Sequence, residues 1–248
     1  MQTGVRWVYL NSSNKLPQFK SIANIEEIVK FVSKKRPVSN ELIDQCPITN
    51  KDLIQRVNLI YKYLPPSENR KILFIGDDDL TSAVIGNTSL LDLSVVDIDK
   101  NILSTIKNCI KKKQINLINL NILDVIDGKI SDSLSNKFDA FVTDPPYTEM
   151  GYKYFLTYGL RHIKMEGFAF VAVPYMNEED WTDELLFKVE DFLIQNGFVI
   201  IEIIPGFAEY QHDDKVISTM LIAKKVTVSK PTKNNLRRAK TYTTGFEL

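Results

Sequence analysis

An acid, two prolines and an aromatic residue, Asp144, Pro145, Pro146 and Tyr147, directly follow the apolar run at 140–143. Proline lacks an N–H group and has a fixed φ angle, so the carbonyl groups of this turn are held rigidly. An amine could donate hydrogen bonds to the Asp144 carboxylate and to a proline carbonyl while Tyr147 packs over it. The turn therefore suits a nitrogen nucleophile whose lone pair must be aimed at an electrophilic carbon. An ordinary loop explains any one of these residues but explains the four together poorly.

A second acidic turn, Gly76, Asp77, Asp78 and Asp79, follows a predicted strand at 71–75. Turns that bind nucleotide phosphates are rich in glycine, so that backbone N–H groups can surround the anion. One glycine beside three carboxylates would instead repel a phosphate and attract a cation, which disfavours a dinucleotide cofactor. Capping of the next helix explains one of these acids but not all three.

A third acid, Asp97, ends the next predicted strand. An acid at this place commonly accepts hydrogen bonds from the hydroxyls of an adenosine ribose. Asp99 is better explained as the N-cap of the following helix, and an Asp-x-Asp turn is frequent in any protein. We therefore predict that Gly76, Asp97 and Ile98 bind a nucleoside.

Strand-like and helix-like segments alternate from residue 71 onward, and this alternation predicts the fold. The predicted strands cover 71–75, 91–96, 115–120, 138–143, 168–173, 199–204 and 216–223; the predicted helices cover 22–34, 52–64, 80–86, 101–112, 152–163 and 184–196. Such a pattern is typical of a mostly parallel, doubly wound α/β sheet with right-handed crossovers. The last two strands are predicted to form an antiparallel hairpin at one edge. Ligands bind such sheets beyond the carboxyl ends of the strands, where the three acidic turns would meet.

We predict three parts along the chain. Residues 1–66 form a small, α-rich N-terminal segment that starts with an irregular or hairpin-like stretch at 1–20. Residues 67–225 form a Rossmann-like catalytic domain, entered at the break that Pro65 and Pro66 introduce. Residues 226–248 form a basic, flexible tail.

Charge and composition exclude several classes of protein. Lys+Arg and Asp+Glu both total 31, so no net positive charge attracts nucleic acid or an anionic membrane. No apolar run approaches the roughly 20 residues that span a bilayer. The 2 cysteines and 2 histidines lack the spacing of a disulfide framework or a zinc site. The prediction is a cytoplasmic homodimer that uses no metal and binds neither nucleic acid nor membrane.

Together these features predict a class I methyltransferase-like fold with an adenosyl donor above Asp97 and a cationic acceptor at the acidic turns. The carboxylate of S-adenosylmethionine would meet three aspartates, and two charges 4 Å apart interact by about 4 kcal/mol at an effective dielectric near 20. A decarboxylated donor or a polycationic acceptor removes this conflict. Glu149 and Tyr210 are further candidates to close the acceptor site.

The chain resembles the branched-chain polyamine synthases, the N(4)-bis(aminopropyl)spermidine synthases, over about residues 42–223. The resemblance is carried by the segments 75–82, 95–99, 138–139 and 143–148, by Gly151 and by 155–156. The pairing of Gly-Asp-Asp-Asp with Asp-Pro-Pro-Tyr is specific, whereas either half alone is a weak signal.

The resemblance implies transfer of an aminopropyl group from decarboxylated S-adenosylmethionine to an amine of a linear polyamine such as spermidine, with release of methylthioadenosine. It implies that Asp79 accepts the proton of the attacking nitrogen, that Asp144 orients this nitrogen and that Tyr147 packs against the substrate. It also implies that Asp77 and Asp78 hold the amines, that a Pro145 carbonyl helps to orient the nitrogen, and that Asp97 holds the ribose. Pro146, Glu149 and Tyr210 complete the predicted amine site, and Gly76 and Ile98 the predicted nucleoside site.

Two features depart from the family pattern. The family usually carries a winged-helix-like domain before the catalytic core, whereas about 65 residues precede it here. The acid that the family has after the strand at 115–120 corresponds to either Asn121 or Asp124. The acceptor amine and the donor therefore stay open.

Three other functions fit parts of the pattern. Asp-Pro-Pro-Tyr also occurs in S-adenosylmethionine-dependent N-methyltransferases that act on a flipped adenine, although neutral charge and acidic turns argue against a nucleic acid substrate. A 3-amino-3-carboxypropyl transferase would use intact S-adenosylmethionine. A polyamine-sensing protein without activity is the last class, and the presence of Asp79, Asp144 and Tyr147 disfavours it.

Overall fold

The computed structural model describes residues 24–110, 115–132, 134, 137–176, 179–211, 217–228 and 241–245, so the stretch expected at 1–20 lies outside it. The helices are α1 (Ile25–Ser33), α2 (Asn50–Tyr63), α3 (Thr81–Thr88), α4 (Lys100–Cys109), α5 (Ile122–Ile126), α6 (Glu149–His162) and α7 (Asp180–Gln195), with a short 3-10 helix at Glu41–Ile43. The strands are β1 (Lys71–Ile75), β2 (Asp92–Asp97), β3 (Asn116–Asn119), β4 (Phe138–Thr143), β5 (Ile163–Tyr175), β6 (Phe198–Glu209) and β7 (Ile217–Lys225).

The strands form one seven-stranded sheet in the order β3-β2-β1-β4-β5-β7-β6. Strands β1 to β5 are parallel, and β7 is antiparallel to both of its neighbours, β5 and β6. The predicted doubly wound sheet with an antiparallel hairpin at one edge is therefore confirmed. The strand order changes direction between β1 and β4, which is where ligands bind in sheets of this kind.

Helices cover both faces of the sheet because successive strand residues point to opposite sides. In β1, Ile72 and Phe74 pack with α1 to α4, whereas Leu73 and Ile75 pack with α5 to α7. This alternation puts β1 at the centre of two apolar layers. The strand end that leads into the first acidic turn is thereby fixed on both sides.

Helices α1 and α2 belong to the same packed core as the sheet. Val29 and Val32 of α1 and Val57 and Ile60 of α2 are buried in the layer that also holds Phe74 of β1. Residues before the predicted boundary near 66 thus contribute to the main core. The division of the chain into domains stays a prediction.

Three elements differ from the sequence-based expectation. Helix α5 was not predicted, and β5 begins at Ile163 rather than near residue 168. Strand β6 continues through Pro205 to Glu209 because an edge strand tolerates a residue that cannot donate a backbone hydrogen bond. Among the described residues, no helix combines the length and the apolar character needed to cross a membrane.

The described part of the predicted tail, residues 241–245, packs against the body of the protein. Thr148 Oγ1 donates to the Thr241 carbonyl at 2.7 Å, and the Thr243 amide donates to Asp44 at 2.8 Å. A Cβ atom on Gly151 would lie 2.4 Å from the Pro146 carbonyl oxygen and 2.9 Å from that of Thr241, so this close approach requires glycine. These residues are thus hydrogen-bonded to the start of α6 and to the segment before α2, and the expectation of a flexible tail stays a prediction.

Candidate active site

The turn after β1 begins at Gly76, which has a φ of 70° that favours glycine. Asp77 then turns inward, and its carboxylate accepts hydrogen bonds from the amides of Thr81 and Ser82 at 2.9 and 3.0 Å. Its main role in the structure is therefore to cap α3. Burial, partly opposed by these bonds, raises the pKa of Asp77 to about 8.

Asp79 is also occupied by the protein itself. Its side chain is 3 % exposed, one oxygen accepts the Ile48 amide at 2.6 Å, and the other is paired with Arg56. Leu80, the next residue, has a left-handed backbone with a φ of 60° although it is not glycine. Asp79 lines neither cavity of the site and serves as the anion that holds Arg56, while its implied role as proton acceptor stays a prediction.

Asp78 is the aspartate of this turn that faces open space. Its carboxylate has no hydrogen-bond partner in the described part of the chain, and it lines both cavities of the site. Burial and then repulsion from Asp79 and Asp144 raise its pKa well above the ordinary value. A carboxylate in this state readily accepts a proton from a bound cation.

Asp144, directly after β4, is held by donors from three elements. Arg56 of α2 donates to its Oδ2 at 3.1 Å, and the hydroxyl of Tyr210 donates to the same oxygen at 3.0 Å. The hydroxyl of Tyr147 donates to Oδ1 at 3.2 Å. The two tyrosine hydroxyls also bond to each other. Burial raises the pKa of Asp144, while the positive charge of Arg56 opposes this rise. The candidate catalytic residues Asp144 and Tyr147 are thus brought together.

Two cavities meet at these acids. The first is lined by Ile43, Asp44, Gln45, Ile75, Gly76, Asp77, Asp78, Val96, Asp97, Ile98, Leu120, Asn121, Ile122, Leu123, Asp144, Pro146, Phe155 and Tyr242. The second has a volume of about 450 Å³ and is lined by Ser39, Glu41, Asp44, Gln45, Cys46, Asp78, Asp144, Pro145, Pro146, Tyr147, Trp181, Tyr210, Thr243 and Thr244. Asp78 and Asp144 belong to both sets, so the junction of the cavities is acidic.

The first cavity has the character of a nucleoside site. Asp97 lies at the end of β2, where its carboxylate accepts the amides of Asp77 at 3.1 Å and Asp99 at 2.8 Å. Burial, partly opposed by these bonds, raises the pKa of Asp97 to about 6. Asn121 lines this cavity after β3, whereas Asp124 faces Lys129. Of the two alternatives left by the sequence, Asn121 is therefore the one at the site.

The second cavity has the character of a site for a cation. Its described lining contains Glu41, Asp44, Asp78 and Asp144 but no lysine or arginine. Both prolines of the Asp-Pro-Pro-Tyr turn line it, although the Pro146 carbonyl accepts the Thr148 amide at 2.7 Å. The sequence reasoning placed Pro145, Pro146, Tyr147 and Tyr210 at the amine, and all of them line this cavity.

Glu149 lies apart from these two cavities. It is exposed at the start of α6, pairs with Lys153 and Lys188, and lines neither cavity. Hydrogen bonds from these two lysines lower its pKa. The expectation that Glu149 binds substrate stays a prediction.

Sequence reasoning missed Arg56 as well as residues 241–245. Arg56 lies on the same face of α2 as Leu53, Val57 and Ile60, and its side chain is 4 % exposed. A charged residue within an apolar helical stripe is buried only when it is paired, which was the available signal. For Tyr242 and Thr243 the sequence offers no comparable pattern.

The model of the branched-chain polyamine synthase A C-terminal domain matches residues 24–244. The chain belongs to this family. The match confirms the resemblance inferred from the acidic turns. It also includes α1, α2 and residues 241–244, of which α2 supplies Arg56 while Tyr242, Thr243 and Thr244 line the cavities.

Two curated relatives from Methanocaldococcus jannaschii are longer than this chain. An uncharacterised protein is 32% identical over 199 residues, which cover 80% of this chain and 49% of the relative. The N(4)-bis(aminopropyl)spermidine synthase is 29% identical over 196 residues, which cover 77% of this chain and 54% of the relative. The chain thus spans about half the length of the curated relatives it matches.

Solved structures give the same fold. The branched-chain polyamine synthase from Thermus thermophilus, in complex with N4-aminopropylspermidine and 5'-methylthioadenosine, matches with a TM-score of 0.75 and 20% identity over 90% of this chain and 71% of that one. A putative RNA methyltransferase from Pyrococcus horikoshii matches with a TM-score of 0.63 and 12% identity over 83% and 100%. At these identities the likeness shows the fold, which is class I methyltransferase-like as predicted.

Proposed function

We propose that this chain transfers an aminopropyl group from decarboxylated S-adenosylmethionine to an amine of a linear polyamine such as spermidine, giving a branched polyamine and methylthioadenosine. The observation that carries this proposal is the position of Asp78 and Asp144 where the two cavities meet. A nucleoside beside Asp97 and an amine beside Tyr147 would place their reacting atoms between these two carboxylates. The solved relative from Thermus thermophilus, in complex with a polyamine and methylthioadenosine, supports this assignment.

The proposed reaction needs an unprotonated nitrogen. A polyamine amine is mostly protonated at neutral pH, and a carboxylate with a raised pKa accepts its proton. Asp78 takes this role in our proposal in place of Asp79, and Asp144 accepts a hydrogen bond from the same nitrogen. The nitrogen lone pair then attacks the methylene carbon beside the sulfonium, a C–N bond forms, and the electron pair of the broken C–S bond stays on the sulfur of methylthioadenosine.

The charge of the site favours a decarboxylated donor. The four acids that line the second cavity would repel the carboxylate of intact S-adenosylmethionine, while they would attract both the aminopropyl ammonium of the donor and the polyamine. Arg56, the buried cation near the junction, is already paired with two aspartates. The homodimer and the cytoplasmic location expected from the sequence stay predictions.

The donor and the acceptor are tested together by product analysis. The purified chain is incubated with spermidine and either donor, and the released nucleoside and the polyamine are identified by mass spectrometry. We expect methylthioadenosine and a polyamine heavier by one aminopropyl unit with the decarboxylated donor. Release of S-adenosylhomocysteine from intact donor would instead establish an N-methyltransferase, and methylthioadenosine with an aminocarboxypropyl product would establish a 3-amino-3-carboxypropyl transferase.

A further inference from the structure

Arg56 is a buried cation in an otherwise acidic site, and it reaches the site from outside the strand ends. It lies on α2, and its guanidinium pairs with Asp79 through Nη1 and with Asp144 Oδ2 through Nη2 at 3.1 Å. Its side chain is 4 % exposed. A guanidinium presents its donors in a fixed planar fork, so one arginine can hold two carboxylates at a defined separation.

The two carboxylates that Arg56 joins are not equivalent. Asp79 lines neither cavity, and its second oxygen is used by the Ile48 amide at 2.6 Å. Asp144 lines both cavities, and its side chain keeps 17 % exposure. The pair Asp79–Arg56 therefore connects the backbone before α2 to Asp144, the one of these two carboxylates that lines the cavities.

Electrostatics require a cation at this place. Burial alone would lower the pKa of Arg56, but the charges of Asp79 and Asp144 more than offset it and raise that pKa. In return, Arg56 opposes the rise in the Asp144 pKa that burial and Asp79 cause. The other titratable groups that face Asp144 are Asp78, Tyr147, Tyr152 and Tyr210. Arg56 is the cation among these described groups.

We propose that Arg56 is a positioning residue for the transfer reaction, which holds Asp144 in the orientation that accepts a hydrogen bond from the attacking amine, with Asp79 as the anchor of Arg56. This inference rests on the proposed function. It assigns a role to α2, which lies before the Rossmann-like core, in the chemistry at the carboxyl ends of β1 and β4. It also assigns different tasks to the two neighbouring aspartates, since Asp78 contacts the substrate whereas Asp79 pairs with Arg56.

The test compares three changes at this pair. Arg56→Gln removes the charge, Arg56→Lys keeps it without the fork, and the double change Arg56→Met with Asp79→Leu replaces the buried pair by apolar side chains. Replacing a buried ion pair by apolar residues often preserves stability, whereas removing one partner does not. The double variant therefore separates folding from positioning. Arg70→Met, which loses an exposed guanidinium bonded to the Pro65 carbonyl, is the matched control.

Turnover, its pH profile, and methylthioadenosine binding are measured for each variant at a temperature where it is folded. We expect Arg56→Gln and the double variant to lose about 100-fold in kcat, as for a misplaced reacting group, with methylthioadenosine binding unchanged. In Arg56→Gln, the acidic limb of the pH profile should rise by about 1 to 3 pH units, because Asp144 no longer has a cation beside it. In the double variant, loss of the Asp79 charge offsets part of this rise. Arg56→Lys keeps the charge, so it should bring the acidic limb of the pH profile closer to its wild-type position than it brings kcat to its wild-type value.

The outcomes distinguish the two proposals. Full turnover in the folded double variant, or an acidic limb that stays in place in Arg56→Gln, would show that Arg56 only supports the fold and would overturn this inference alone. Absence of methylthioadenosine from the wild-type reaction with every polyamine tried would overturn the proposed function and this inference with it. Arg70→Met should match the wild type in every measurement.

Discussion

The nucleoside side and the amine side of the site are built in different ways. On the nucleoside side, Gly76 follows β1, Asp97 is the last residue of β2, and Asn121 comes two residues after β3. On the amine side, Asp78 and Asp144 also follow strands, but their neighbours come from distant parts of the chain. These neighbours are Arg56 of α2, Tyr210 after β6, and residues 243–244.

Position at the strand ends therefore defines the acids of the nucleoside side, although residues 43–45 and Tyr242 also line that cavity, whereas ion-pair and hydrogen-bond partners define the amine side. The adjacent acids Asp77, Asp78 and Asp79 have the same side chain and different roles. The first caps α3, the second faces both cavities, and the third holds Arg56. The motif therefore identifies these three residues but does not show which of them contacts the substrate.

The largest expected effect is that of Asp78→Asn. Loss of a proton acceptor should lower kcat by about 10²- to 10⁴-fold. Binding of methylthioadenosine should be unchanged. The melting temperature should not fall, because the change removes the charge of a carboxyl group whose pKa is already raised by burial and like-charge repulsion. Asp92→Asn, at the opposite end of β2 and paired with Lys71, is the control. Turnover of Asp78→Asn near that of Asp92→Asn would exclude Asp78 as the acceptor.

The main effect of Asp79→Asn should be a loss of stability. It leaves the buried Arg56 with one carboxylate less, and an uncompensated buried charge costs about 3 to 5 kcal/mol. Urea unfolding should therefore show a clearly lower free energy of unfolding than in Asp78→Asn. If Asp79→Asn instead unfolds like the wild type but has no turnover, Asp79 is the proton acceptor, as the family resemblance implied.

On the nucleoside side, Asp97→Asn should have a smaller effect of a different kind. Loss of a hydrogen bond to a charged group is worth about 1.5 to 3 kcal/mol, so methylthioadenosine should bind roughly 10- to 100-fold more weakly. Saturating donor should restore most of kcat, because the carboxylate lies away from the amine. Calorimetry and steady-state kinetics measure the two quantities. A loss of kcat with unchanged affinity would show that the two sides are not separable.

The smallest expected effect is the pH dependence of stability. The folded-state pKa values of Asp77 and Asp97 are raised to about 8 and about 6, so the folded protein binds protons more tightly than the unfolded chain at these groups. Their contribution to stability is full below about pH 4 and is lost as pH rises through the folded values. Asp97→Asn should flatten the decline between pH 4 and 6 in urea titrations. An unchanged slope there would contradict the raised pKa of Asp97.

The sequence predicts the sheet well, because its signals are local. Strands β1 and β4 have the predicted bounds, since each is a short apolar run that ends at an acidic turn. Helix α5 was not predicted because its five residues lie at the end of a longer, largely apolar segment, 115–126, that has no clear helical or strand period. Strand β5 extends back to Ile163 because pairing with β4 outweighs the turn-like sequence around Gly167.

The site is predictable only in its strand-end residues. Asp97, Asp144 and Tyr147 lie where the motifs placed them, in the lining of the two cavities. The contact of Arg56 with Asp144 spans 88 residues, and no local pattern encodes such a pairing. The pairing of Glu149 with lysines of α6 and α7 is likewise not visible in the local sequence.

The left-handed backbone at Leu80 makes the acidic turn dependent on the N-terminal part of the chain. A non-glycine residue at a φ of 60° is strained by about 1 to 3 kcal/mol and persists only where its surroundings impose it. Here they do so from the N-terminal side, since Arg36 donates to the Asp79 carbonyl at 2.9 Å and Arg56 pairs with the Asp79 side chain. The acidic turn is therefore a cooperative product of the two N-terminal helices and the sheet, and a Rossmann-like core cut free at residue 66 would let it relax.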